Sequence, residues 1–106
     1  MWLPPADATL ELQRRDRMDL GDFHILWLDG QRVAGVPCKG SVRLPVASGD
    51  HELLLTDHRG RVRSKPVPFS LAPGETARFS SATNWPKWAD GLSRSRRSWI
   101  ELDLLP

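Results

Sequence analysis

The chain has 106 residues, 40% of them apolar and 26% charged, a balance that predicts one compact domain over 1–106 and excludes a disordered tail. Fifteen Lys and Arg against thirteen Asp and Glu leave a formal charge of +2, short of the electrostatic footprint of a nucleic-acid binder. There is no apolar run long enough for a transmembrane helix, no signal-peptide pattern at Met1 to Pro5, and a single cysteine, Cys38; the expected location is therefore cytoplasmic, without membrane insertion or a disulfide framework.

Thr9-Leu10-Glu11-Leu12-Gln13 alternates with period two, as a half-buried strand does, and the basic residues Arg14, Arg15 and Arg17 follow it. Phe23 to Leu28 is almost wholly apolar, which suits a strand covered on both faces. It ends at Asp29-Gly30, a type I′ hairpin signal, with Arg32-Val33-Ala34 as the returning strand. Val42, Leu44 and Val46 alternate, and Pro45 between them points to an edge strand or a bulge. Ser48-Gly49-Asp50 turns the chain into His51 to Thr56, and His58-Arg59-Gly60 turns it again. Val67, Phe69 and Leu71 form another alternating set, placed at an edge or at a crossing between sheets by Pro66 and Pro68. Ala72-Pro73-Gly74-Glu75 has the composition of a type II turn, and Ala77 and Phe79 continue the inward register beyond it. Residues 83–97 read as an irregular connection, followed by a closing strand over 98–104 with Ile100, Leu102 and Leu104 on one face and Glu101 and Asp103 on the solvent face.

Seven or eight short strands without a helical apolar stripe predict an all-β, two-sheet antiparallel β-sandwich. The predicted core is Leu10, Leu12, Leu26, Leu28, Val42, Leu44, Val46, Leu53, Leu55, Val67, Phe69, Ala77, Phe79, Ile100 and Leu102.

Three stretches carry a resemblance. They are Leu28-Asp29-Gly30 with the return strand to Gly35, Val42 to Leu53 with its Gly49-Asp50-His51, and Leu71-Ala72-Pro73-Gly74-Glu75. Their order and spacing resemble PEGA-like and carboxypeptidase-regulatory-like β-sandwich domains, and small bacterial proteins built on that pattern alone. The resemblance spans roughly residues 8–82. It implies an immunoglobulin-like or transthyretin-like sandwich that is a non-catalytic scaffold or interaction module. The chain departs from the pattern at Ala47-Ser48-Gly49, where a proline-containing triplet is usual, and at Cys38-Lys39.

Catalytic and metal chemistry find little support. His24, His51 and His58 show no ligand spacing with one another or with Cys38, and no nucleophile elbow or phosphate-binding glycine loop is present. His51 reads as a strand-opening ring bonded to turn backbone. No catalytic residue, metal site or cofactor is expected, and the chain is read as a non-enzyme. Arg59, Arg61, Arg63 and Lys65, spaced by two, would share one strand face if that segment is regular.

The interaction signal lies in Trp85-Pro86-Lys87-Trp88 and the Arg94, Arg96, Arg97 run, since Trp and Arg dominate protein-contact hot spots. Two readings stand: the indoles cap the core of a small domain, or Trp85, Trp88, Arg94, Arg96 and Arg97 form a partner-binding surface. The expected partner is another protein; a carbohydrate- or nucleic-acid-binding module is the alternative.

Overall fold

The computed structural model of the chain describes residues 6–15, 23–37, 39–60, 62–84 and 99–106. They form eight strands: β1 (Ala8–Arg14), β2 (Phe23–Leu28), β3 (Gln31–Pro37), β4 (Ser41–Val46), β5 (Gly49–Asp57), β6 (Val67–Leu71), β7 (Thr76–Asn84) and β8 (Trp99–Leu104). One four-stranded sheet has the order β4-β1-β7-β8 and the other β3-β2-β5-β6, so the expected all-β sandwich architecture is present.

The period-two pattern sorts the side chains. On β1, Ala8, Leu10 and Leu12 are buried while Glu11 and Gln13 face outward. The core joins the inner faces of both sheets, with Leu10, Leu12, Phe79 and Ile100 from one and Leu26, Leu53, Leu55 and Phe69 from the other. Leu28, Val42, Leu44, Val67 and Leu102 pack against it half-buried. Each residue expected in the core therefore reaches it. Val36, Leu71 and Ala8 join them.

Turn chemistry follows the sequence closely. Asp29 (φ 52°) and Gly30 (φ 81°) both hold the left-handed region that a type I′ hairpin demands. Gly74 (φ 83°) takes the third position of the type II turn, closed by the Glu75 amide donating to the Ala72 carbonyl at 3.0 Å.

Three expectations need correction. The sandwich is not antiparallel throughout, because β1 pairs with β4 antiparallel but with β7 parallel. β1 and β7 run the same way and so can only meet in parallel, while β4 and β8 flank them antiparallel. Second, the connection expected from residue 83 starts later, since β7 continues as strand to Asn84, paired with β8. Third, the regular strand on which Arg59, Arg61, Arg63 and Lys65 would share one face is not formed among the described residues. Arg59 lies in a turn, Arg63 makes one isolated bridge to Thr56, and Arg61 lies outside the described residues.

Candidate functional site

Each sheet has two edges, and an edge exposes a row of backbone groups able to pair with another chain. On β1 the Arg14 amide donates toward β4, to the Gly40 carbonyl at 3.0 Å, whereas Thr9 and Arg15 donate on the other side, to Glu75 and Ser81. Even-numbered residues of β1 thus bond β4, through their partners Val42, Leu44 and Val46. Pro45, opposite Thr9, turns its nitrogen to the free edge and costs the ladder nothing.

The second sheet repeats the device at β6. The Glu52 carbonyl accepts from the Asp29 amide at 2.9 Å and the Glu52 amide donates to Asp29 Oδ1 at 2.8 Å, so that peptide faces the β2 side. Pro68, paired with Glu52, likewise turns outward on its edge. At β3 the register shifts: Leu26 pairs with Ala34 and Trp27 with Arg32, which leaves Val33 as the extra residue of a bulge.

The remaining edge, β8, carries neither proline nor bulge between Trp99 and Leu104. Leu105 donates to the Arg78 carbonyl at 2.7 Å, continuing the ladder to β7, whereas Ile100 donates away from β7 to the Arg63 carbonyl at 3.4 Å. Odd-numbered residues of β8 therefore bond β7, and the peptide groups of Ile100, Leu102 and Leu104 point outward. Ile100 and Leu102 line a groove of about 810 Å³ between β8 and residues 63–66. One lip carries Glu101 and Asp103, the other Arg63 and Lys65, with Ile100, Leu102, Ser64 and Pro66 completing the lining. Ser64 fixes the second lip: its amide donates to the Leu55 carbonyl at 2.8 Å and its hydroxyl accepts from the Leu55 amide at 2.9 Å.

Trp85, Trp88, Arg94, Arg96 and Arg97, the expected contact residues, lie outside the described residues, as does Cys38. Arg14, expected to follow the first strand, is instead its last residue and is buried, and its guanidinium Nη1 donates to the Val36 carbonyl of β3 at 3.1 Å. It links the two sheets. On the outer face of its sheet, Glu11 stands between Arg43 (3.2 Å) and Arg78 (3.4 Å), so one carboxylate offsets half of that basic pair.

The histidines are dispersed. His24 is buried, His58 lies against the Phe23 ring, and His51 is the third residue of β5. Among the described residues, no three His, Cys, Asp or Glu side chains converge as metal ligands would. His51 ties two turns together: Nδ1 meets Asp29 Oδ2 and Nε2 meets the Ala47 carbonyl, each at 2.6 Å. The backbone partner was expected, while the Asp29 carboxylate, supplied by a turn 22 residues earlier, was not.

Both partners of His51 are acceptors, so the ring satisfies both only when it is doubly protonated. Partial burial pulls its pKa down, but the bonds to Asp29 and Ala47 and the Asp29 and Asp50 charges outweigh this and raise it above 6.5. The linkage has one sign: this stabilisation is complete below the unfolded value and disappears as pH rises through the higher folded value. The melting temperature of the native chain should therefore fall between about pH 6 and pH 9 relative to His51→Gln. A constant difference between the two chains across that range would refute the assignment.

No protein-family model matches the sequence, and no curated protein matches it. Among solved structures, the NMR structure of the protein from Eubacterium rectale is similar with a TM-score of 0.51, at 11% identity, over 92% of this chain and 86% of that one. At that identity the likeness bears on the fold alone, and it agrees with the two-sheet arrangement. No helix among the described residues is long and apolar enough to cross a membrane.

Proposed function

We propose that the chain is a non-catalytic protein-interaction domain of a cytoplasmic bacterial protein, whose contact surface combines the β8 edge with the Trp/Arg-rich stretch leading into it. The observation that carries this reading is the asymmetry of the edges: β4, β6 and β3 are blunted by Pro45, Pro68 and the Val33 bulge, while β8 has no strand on its outer side among the described residues and borders a groove. An edge left pairable invites recognition by strand addition. The resemblance to PEGA-like domains points the same way, and Trp85, Trp88, Arg94, Arg96 and Arg97 precede β8 directly in sequence.

The test is capture of a partner from cells by the tagged chain. Trp88→Ala combined with Arg96→Ala should abolish capture while moving the melting temperature little, because hot-spot truncation removes binding without opening the core. A loss of several kcal/mol of stability, with capture intact in the folded fraction, would make the stretch a cover for the core and end its role here. Captured material whose binding falls about a thousandfold between 50 and 200 mM salt would instead identify a nucleic acid.

A further inference from the structure

We infer that β8 accepts a fifth strand: an extended segment of another protein, about five residues long, in which basic and apolar residues alternate. This rests on the protein-interaction reading and specifies the partner's chemistry. The hydrogen-bonding side is already laid out. The amides of Leu102 and Leu104 point away from β7 and have no backbone partner among the described residues. The Ile100 amide, bonded to the Arg63 carbonyl, marks the end where the two walls of the groove meet. From there to Leu104 the edge is five residues long, or roughly 17 Å of strand.

Charge selects the sequence of the guest. A strand added beside β8 alternates its side chains between the two faces of the sheet. On the outer face they would lie beside Glu101 and Asp103, both exposed, where Lys or Arg is favoured. On the inner side they would meet Ile100, Leu102 and the exposed Leu104, with Arg63 and Lys65 on the far lip. Apolar residues fit there and basic ones are repelled. The Arg15 guanidinium, 3.9 Å from Asp103 with both groups exposed, is a weak competitor for that carboxylate, and Glu101, which keeps an interaction within the chain, adds its charge to the same face.

The same charges argue against a second copy of this chain as the occupant. In a two-fold antiparallel pairing of β8 with itself centred on Leu102, Glu101 of each copy faces Asp103 of the other. Centred on Asp103 or on Glu101, that carboxylate faces itself. Acid thus meets acid in each of these registers, and like charges directly opposite are destabilising.

The experiment titrates the ¹⁵N-labelled full chain with ten-residue synthetic peptides: alternating Lys and Val, alternating Glu and Val, and the Lys/Val composition in two blocks. The alternating Lys/Val peptide should slow amide hydrogen exchange at Leu102 and Leu104 about tenfold or more at saturation, and the other two should not. Leu104→Pro, which removes an outward donor as Pro45 and Pro68 do, should keep the fold and lose this protection. Glu101→Lys with Asp103→Lys should transfer the preference to the Glu/Val peptide, and it carries the test if the proline variant fails to fold. Equal protection by Lys/Val and Glu/Val, no protection by any peptide, or protection that grows with chain concentration alone would overturn the proposal. If the peptides fail while Trp88→Ala with Arg96→Ala still loses the cellular partner, strand addition is wrong and the interaction reading survives.

Discussion

Phe79→Ala should cost about 3–5 kcal/mol, a large share of the roughly 5–15 kcal/mol by which an ordinary small domain is stable. Phe79 is 1% exposed on β7, an inner strand of its sheet, and its neighbours across the ladders are Leu12 and Leu104. Its ring meets Phe69 of the opposite sheet edge-on, with centroids 5.0 Å apart at 75°, a geometry that adds attraction beyond buried area. Phe69 in turn lies 5.5 Å from the His51 ring, so a cavity at Phe79 loosens a column that crosses the sandwich. Both sheets are pinned by their ladders, which leaves the void little chance to collapse. Leu44→Ala is the internal control: Leu44 is only half-buried on the edge strand β4, and its loss should fall near the lower end of about 2–5 kcal/mol. Urea unfolding decides. Equal shifts in midpoint for the two variants would show that Phe79 does not bridge the layers as described.

What could be read from the sequence was what is decided locally. Alternation over Leu10 and Leu12, Val42 to Val46 and Val67 to Leu71 is set by the pleat, and Asp29-Gly30 and Pro73-Gly74 are set by φ preferences of their own residues. Pro45 and Pro68 marked their edges correctly for the same reason, since a missing N–H can be placed only where no ladder bond is needed. Neighbour identity is a different kind of information. The parallel contact of β1 with β7 depends on the order in which strands alternate between sheets, and no window of residues contains that order.

The site was legible in part. Two of the three blunted edges were announced by proline, whereas the Val33 bulge arises from register against β2 and gives no compositional signal. The closing strand was placed correctly, but its open side emerges only when its one N–H to Arg63 is set against its ladder to β7. Asp29 escaped notice as the partner of His51 because its turn residue type explained it fully; its carboxylate also holds the Glu52 amide at 2.8 Å.

Arg14 is the case where a signal was present and charge obscured it. Ala8, Leu10 and Leu12 point inward, and period two puts Arg14 on the same face. The structure leaves it 2% exposed, with its guanidinium donating to Val36 of the other sheet. Arg14→Ala should therefore cost about 2–4 kcal/mol, the sum of a cavity and a buried carbonyl deprived of its donor. Arg14→Met should cost distinctly less, because an unbranched apolar side chain fills more of the volume than Ala does and spares the desolvation of a buried cation. Arg14→Lys keeps the charge but not the planar fork, and it should fall between the two. The order Ala, Lys, Met in decreasing loss of stability, read from urea midpoints, separates a packed inter-sheet link from a cation that merely lies beneath the surface. In the latter case all three variants would unfold at the midpoint of the native chain, and the two sheets would be held at that end by apolar contacts alone.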